Sequence, residues 1–409
     1  MMSITKEPGR QSRDKQISVL CLITALTGGG AEMMLYRLMS RLDRTKFRPQ
    51  VISMMELGQV GEKILALGIP VRSLGMQQGI PNPLAVFRLV DWLKRDKPDV
   101  IQTWMYHADL LGSVAAKLVG DIAISWNIRH SDLSGEESKR LTHVTARVCA
   151  QLSRWAPQKI VCCSESAREV HTALGYAADK MVVIPNGYDL DTFRPDSPAR
   201  RRIRLELQVP ESAPVIGLVG RFDPQKDHRT FLRAAGLLHQ KRSDVHFILC
   251  GEAVTRQNAS LMKWIAEAGI QTHCHVLGRR DDIPQITASF DIASLSSSFG
   301  EAFPNVVSEA MSCEVPCVVT DVGDAALIVG ESGMVVPTRN PTALADAWRT
   351  MIELEPDMRT RLGSAARQRV MDRYNLSEIV SRYESLFEEL AGTGRSQDYL
   401  SSRGRYVRD

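Results

Sequence analysis

The sequence predicts an α/β protein built from two doubly wound parallel domains, and three observations carry that expectation. The chain has 409 residues, more than one typical domain holds. Near-continuous apolar runs such as residues 16–25 (QISVLCLITA) read as strands buried on both faces, the mark of a parallel sheet. Such runs alternate with amphipathic helical stretches in both halves of the chain, on either side of a proline- and arginine-rich segment.

Composition narrows the class. Apolar residues at 44% and charged residues at 24% are ordinary for a globular protein, and a net charge of +4 does not point to nucleic acid. Residues 1–15 are polar and lack the apolar core of a signal peptide. No run reaches the roughly 18 apolar residues of a spanning helix. None of the eight cysteines forms a C-x-x-C pair, and several sit in strand-like runs. A reduced, cytoplasmic protein without a zinc or other metal site is expected.

Residues 16–25 lead through Gly28, Gly29 and Gly30 into a helix over 31–42, where Met34, Leu35, Leu38 and Leu42 recur at helical spacing. Glycines between a strand and a helix let a ligand approach the backbone closely. Gly29 and Gly30 are therefore candidate binding positions, and a tight turn is the plainer reading. Met33 stands where a G-x-G-x-x-G fingerprint needs glycine and no G-K-[ST] follows, so neither a dinucleotide nor a Walker loop is indicated. Strands over 48–54, 71–74 and 99–104 and helices over 61–67 and 83–95 continue the alternation.

In such sheets, ligands gather beyond the carboxyl ends of strands. That rule singles out His107, between the strand 99–104 and a helix over 108–118, although it also serves simply to start that helix. The strand 122–128 exits at Arg129, His130, Ser131 and Asp132, read equally as an acceptor contact or as a polar loop capped by Ser131. A helix over 137–155 carries Leu141, Val144, Val148, Leu152 and Trp155 in one stripe, expected to face the core. Lys139, Arg140, Arg147 and Arg154 decorate its other faces, and contact with an anionic membrane surface is the alternative reading. Strands over 159–164 and 181–184 close this half.

Residues 191–204, with Pro195, Pro198 and an arginine cluster from Arg194 to Arg204, read as a linker. The strand 215–220 exits at Arg221-Phe222-Asp223-Pro224-Gln225-Lys226-Asp227, ahead of a helix over 228–240. Strands over 245–250 and ending at 276–278 follow. A short strand at 291–295 then turns into a helix over 305–312, with Pro304 suited to its first position. That helix start offers unpaired N–H groups and a positive dipole end, a natural place for phosphate. Glu301 and Glu309 bracket it as E-x7-E. They are candidates for sugar hydroxyls and a ribose diol, or else a dipole cap and a solvated side chain. A strand over 315–320 and helices starting near 341, at 357 and at 376 complete the chain, with a polar tail beyond 391 for which disorder is the default.

The string F-G-E-A-F-P-N-V-V-S-E-A-M-S-C-E-V-P-C-V-V-T-D-V-G at 299–323 resembles the signature of family 4 glycosyltransferases. Gly29-Gly30-x-Glu32 resembles their G-G-x-E loop, residues 220–227 (GRFDPQKD) their G-R-x-x-x-x-K element, and residues 184–193 (IPNGYDLDTF) their hinge string. The resemblance covers roughly residues 17–385.

It implies the GT-B fold: two doubly wound Rossmann-like domains facing across a cleft. Residues 16–187 would form the acceptor-side domain with helix 376–390 crossing back to it, 188–375 the nucleotide-sugar domain, and 391–409 the tail. It also implies retaining, metal-independent transfer from a UDP- or GDP-sugar to a sugar or lipid-linked acceptor, with no further cofactor. Bacterial polysaccharide or glycolipid synthesis is the implied setting, with peripheral contact at the inner membrane face as an option.

Carried over residue by residue, Arg221 and Lys226 would meet the diphosphate and Glu301 the donor sugar. Ala302, Phe303, Asn305 and Val306 would offer backbone N–H groups, which Pro304 lacks. Glu309 would hold the ribose, Gly278 and Arg279 would lie near the base, and His107 near the sugar. The chain departs from the pattern at Ala253 and Ala302, where glycine is usual. An epimerase on the same fold and a nucleotide-sugar-binding protein without turnover are the competing readings.

Overall fold

The computed structural model describes residues 16–77, 82–120, 122–131 and 140–403. The first domain runs β1 (Ile17–Ile23), α1 (Gly30–Arg41), β2 (Phe47–Ser53), α2 (Gly58–Ala66), β3 (Val71–Ser73), α3 (Pro83–Asp96) and β4 (Val100–Trp104). It continues with α4 (Tyr106–Val119), β5 (Ala123–Ile128), α5 (Arg140–Leu152), β6 (Lys159–Cys162), α6 (Glu165–Ala173) and β7 (Met181–Val183). Its strands form one parallel sheet in the order β3-β2-β1-β4-β5-β6-β7.

The second domain runs α7 (Ser197–Glu206), β8 (Val215–Val219), α8 (His228–His239), β9 (His246–Cys250), α9 (Ala259–Glu267), β10 (Cys274–Val276) and α10 (Ile283–Thr287). Then come β11 (Ile292–Leu295), α11 (Asn305–Ser312), β12 (Cys317–Thr320), α12 (Ala325–Val329), β13 (Gly333–Val336), α13 (Pro341–Glu353), α14 (Pro356–Arg373) and α15 (Leu376–Arg403). Its sheet is also parallel, in the order β10-β9-β8-β11-β12-β13. The chain is thus two Rossmann-like domains facing across a cleft. In each sheet the strand order reverses beside the first strand of the domain, and crevices open at such a point.

A parallel sheet needs cover on both faces. In the first domain α15 supplies part of it: Tyr383 stacks on Trp104 at 6.2 Å and its hydroxyl accepts from Asn127 Nδ2 at 2.9 Å. Phe387 meets Phe47 edge-on at 6.1 Å. The helix continues to Arg403, through residues that read from sequence as the start of a polar tail.

One expectation is overturned. Most of the stripe does not face the core: Val144 and Val148 on α5 are exposed and Trp155 beyond it is 75% exposed, while Leu152 is half-buried against the core and the Leu141 side chain lies outside the described residues. The buried side of α5 consists of Ala146, Cys149 and Ala150, whose small side chains let the helix lie close to its neighbours. Residues 132–139, which include Asp132 of the strand exit and 137–139 at the start of the expected helix, lie outside the described residues. Pro304 is the N-cap of α11, with Asn305 the first helical residue, a shift of one position.

Three buried histidines make the fold acid-sensitive. Burial pushes His171, His228 and His246 each down to about 4, with His275 and His273 adding to the effect on His246 and Lys226 to that on His228. A histidine held neutral in the fold stabilises it fully above its unfolded pKa of about 6.5 and loses that contribution as pH falls toward 4. Each contributes a slope of up to about 1.4 kcal/mol per pH unit in that window. Unfolding midpoints measured from pH 7 to 4 should fall steeply below 6.5, and His246→Gln should flatten the fall. A flat wild-type profile would contradict the assignment.

Candidate active site

The cleft between the domains holds about 390 Å³ and is walled by strand exits from both sheets. The first domain contributes Gly29, Gly30, Ala31 and Glu32 after β1, Met105 after β4, Arg129 and His130 after β5, Cys163 after β6 and Asn186 after β7. The second contributes Arg221, Gln225 and Lys226 after β8, Gly300 to Phe303 after β11, and Asn305 and Val306 at the start of α11.

The glycine loop is built by its own helix. Gly29 is the N-cap of α1, and Glu32, three residues on, folds back so that a Cβ on Gly29 would lie 2.5 Å from its Oε2. The Glu32 carboxylate accepts from the backbone N–H groups of Glu32 and Gly29, a capping box with glycine at the cap. Burial still raises its pKa, against those bonds and nearby Arg129. Gly30 is required by the other domain: a Cβ there would sit 2.8 Å from Asn305 Nδ2.

On the opposite wall, Lys226 Nζ donates to Glu301 Oε1, and Ser297 Oγ donates to the same oxygen at 2.7 Å. Both charged side chains are largely buried. Arg221 is exposed, its guanidinium held by Asp223 at 2.8 Å and Gln225 at 3.2 Å. Three cations and two carboxylates therefore line the cleft: Arg129, Arg221 and Lys226 against Glu32 and Glu301. Such a wall, with the N-terminus of α11 opening on it, suits an anionic ligand carrying hydroxyl groups.

His130 stands on a built platform. Its ring lies 6.1 Å from that of Tyr106, nearly parallel. The Tyr106 hydroxyl is 2.6 Å from His171 Nε2, and His171 Nδ1 is 2.7 Å from the Ala167 carbonyl. A carbonyl only accepts, so Nδ1 carries the proton and Nε2 accepts from Tyr106. The His130 side chain is exposed at the cleft, and the protein around it lowers its pKa, with Arg129 and Arg221 lowering it further. At neutral pH the cleft presents a neutral imidazole.

Of the candidates read from sequence, Gly29, Gly30, Arg221, Lys226, Glu301, Ala302, Phe303, Asn305 and Val306 come together on this wall. His107, Gly278, Arg279, Pro304 and Glu309 are not part of it. His107 is half-buried on α4, its pKa lowered by burial. Arg279 reaches Gln59 of the first domain at 2.7 Å, and Glu309 is paired with Arg37 at 2.8 Å. Asn186, Met105 and Gln225 had no assigned role from sequence, whereas Arg129 belongs to the strand exit read there as an acceptor contact or a polar loop. The rule that placed His107 after a strand applies equally to His130, one strand further along. Ala253 keeps a left-handed φ of 57° and with it some backbone strain. Among the described residues no group of three or more His, Cys, Asp or Glu side chains is arranged to hold a metal ion.

Two family models divide the chain. Residues 28–192 match Glycosyltransferase Family 4, and residues 199–369 match Glycosyl transferases group 1. Among solved structures, Anabaena HepE in complex with UDP and glucose superposes with a TM-score of 0.79 at 23% identity, covering 91% of this chain and 100% of that one. The fold is GT-B. The lipopolysaccharide outer core galactosyltransferase WaaB superposes with a TM-score of 0.67 at 15% identity over 91% of this chain and 100% of that one.

In sequence, the D-inositol 3-phosphate glycosyltransferase of Corynebacterium jeikeium is 27% identical over 75% of this chain and 70% of its own length. The UDP-Gal:alpha-D-GlcNAc-diphosphoundecaprenol alpha-1,3-galactosyltransferase of Escherichia coli is 22% identical over 80% and 85%. Together these matches support a glycosyltransferase acting on a nucleotide sugar.

The neutral state of His130 is open to direct measurement. Its imidazole resonances should titrate below 6.5, and Arg129→Met should raise that midpoint by removing an adjacent positive charge. An unchanged midpoint in the variant would refute the electrostatic account.

Proposed function

We propose that the chain is a retaining glycosyltransferase that moves a sugar from a UDP- or GDP-sugar to a sugar or lipid-linked acceptor, in bacterial polysaccharide or glycolipid synthesis. The observation that carries the reading is the contact between Lys226 and Glu301 beside the N-terminus of α11, in a cleft walled by both domains. Arg221, Lys226 and the α11 N–H groups meet the diphosphate, so the leaving charge is carried by protein cations and no divalent ion is required. Glu301 accepts from donor sugar hydroxyls and Glu309 takes the ribose. Gly278 and Arg279 lie toward the base, and His107 or His130 borders the sugar. No residue is assigned as a covalent nucleophile. The relative named for a diphosphoundecaprenol acceptor and the HepE complex with UDP-glucose support the donor and acceptor classes.

The decisive experiment combines transfer kinetics with calorimetric titration of the product nucleotide. Lys226 meets charge that grows as the leaving group departs, so Lys226→Ala should fall largely on kcat, by roughly thirtyfold to thousandfold. Glu301 meets hydroxyls present throughout, so Glu301→Ala should weaken donor affinity and relax sugar choice while UDP or GDP still binds. Because the two share a hydrogen bond, the double variant should lose less than the sum of the single losses. Epimerisation of the donor with no acceptor present would favour the epimerase, and binding without turnover the nucleotide-sugar-binding protein.

We also propose peripheral attachment at the cytoplasmic face of the inner membrane, through α4 and α5. Val114 and Leu118 on α4, Val144 and Val148 on α5, and Trp155 beyond it are all exposed. Val114, Leu118 and Trp155 line a groove of about 530 Å³ together with Leu152 of α5. Exposed Lys117, Arg147 and Arg154 rim the patch, a pairing of apolar surface and cations that fits an anionic bilayer. Among the described residues no helix is long and apolar enough to cross a membrane. The protein should sediment with vesicles containing anionic lipid at low salt, and Val148→Glu with Trp155→Glu should release it. A wild-type protein that stays in solution would end this part of the reading.

A further inference from the structure

We propose that Arg37 and Asp324 are positioning residues that register the two domains on each other, and so aim the Glu301 turn at the first-domain wall. The inference rests on the transfer reading above. Neither residue is part of the cleft wall, and each makes a charged contact between the domains.

Arg37 lies on α1, the helix that begins at the glycine loop. Its Nη2 donates to Glu309 Oε1 on α11 at 2.8 Å, and its Nη1 donates to the Gly187 carbonyl at 3.3 Å. Its guanidinium also sits 5.0 Å from the Tyr188 ring centroid. One side chain thus touches the first domain, the connecting segment and the second domain. Both partners of the ion pair are only 13% exposed, and breaking such a pair leaves a poorly solvated charge.

Asp324 follows β12 in the second domain, yet it caps a helix of the first. Its carboxylate accepts from the backbone N–H of Glu165 at 2.8 Å and of Ser166 at 2.9 Å, at the start of α6. A carboxylate at a helix N-terminus is favoured by both the unpaired donors and the dipole. The Asp324 backbone N–H donates to the Ala302 carbonyl at 3.1 Å. Beside it, Gly323 has φ of +55°, and a Cβ there would lie 2.0 Å from the Glu301 carbonyl oxygen. Asp324 therefore ties the Glu301–Ala302 turn directly to α6.

Sheet order places these contacts apart. Arg37 follows β1 and the α6 start follows β6, with β4 and β5 between them. The exits of β4 and β5 carry Met105, Arg129 and His130 of the cleft wall. The two contacts bracket the wall that faces Glu301, and a pair of separated fixings sets both spacing and tilt.

The test uses the full chain with Arg37→Met and Asp324→Ala, and with Arg37→Lys and Asp324→Asn as conservative partners. Misplacing reacting groups by about 1 Å costs up to about a hundredfold in rate. Each truncation should therefore lower kcat for UDP-glucose or GDP-sugar transfer by about ten- to a hundredfold, and Asp324→Ala, which touches no residue assigned to the nucleotide, should leave UDP or GDP affinity within about threefold of wild type. Asp324→Asn should recover only part of the rate, because its single amide oxygen keeps one of the two bonds that the carboxylate makes, through Oδ2 to the Glu165 N–H and Oδ1 to the Ser166 N–H. Small-angle scattering should show a larger radius of gyration for both truncations.

Unchanged kcat in both truncations would overturn the proposal. So would a loss of nucleotide affinity in Asp324→Ala as large as its loss in kcat, which would make Asp324 a ligand. If the conservative variants are as slow as the truncations and unfold at lower temperature, the role is structural and the proposal falls. Should the wild type turn over no nucleotide sugar, the transfer reading fails by itself. Scattering then still decides closure, because an unchanged radius in both truncations sinks it.

Discussion

Asn305 is where the two domains of this protein are fitted to each other. Its Oδ1 accepts from Asn186 Nδ2 at 2.7 Å and from the Tyr188 hydroxyl at 2.5 Å, so its amide nitrogen is turned away from the connecting segment. That nitrogen lies against Gly30, at a spot where any side chain would collide. One amide at the first position of α11 thereby sets how near the glycine loop comes to the donor-side helix. With a larger residue at Gly30, the α11 start and the Glu301 turn ahead of it would be pushed off the first-domain wall.

The polar groups around this contact compensate one another. The Lys226 ammonium and the Glu301 carboxylate are both largely buried and satisfy each other, with Ser297 as a further donor. Arg129 donates to Asn186 Oδ1 and lies 5.0 Å from the Trp104 ring centroid, so it too is held. A cleft whose charges are fixed in this way pays little reorganisation when an anionic ligand arrives, which is the physical content of electrostatic preorganisation. The neutral His130 adds a polar group of either hydrogen-bonding sense without another positive charge.

The two domains bury their sheets by different means. In the first, α15, the last helix of the chain, packs against α1 and against β1, β4 and β5, so residues far apart in sequence share one core. In the second, Trp348 of α13 packs against Phe231 of α8 at 4.9 Å, with its indole N–H donating to Ser294 at 3.2 Å. The first arrangement leaves the outer faces of α4 and α5 uncovered, which is why their apolar side chains meet solvent.

Much of this was legible in the chain itself. The apolar runs at 17–23 and 100–104, the glycines after β1, the R-x4-K pair at Arg221 and Lys226 and the turn-and-helix string around Glu301 are all local signals. Periodicity, caps and turn residues act over a few positions, so a sequence states them directly. Partners and facing were not legible. The stripe Val144, Val148 and Trp155 identified a helix but not its inner side, because the small residues Ala146, Cys149 and Ala150 turned out to make the contact. His107 and His130 follow neighbouring strands and the strand-end rule points to both, yet only the packed structure shows that the second lines the cleft and the first does not. Glu309 found Arg37 across 272 positions of chain. The sequence by itself determined the elements and the chemistry at their ends. The tertiary structure decided which ends meet, because that choice depends on close packing between surfaces that no local stretch encodes.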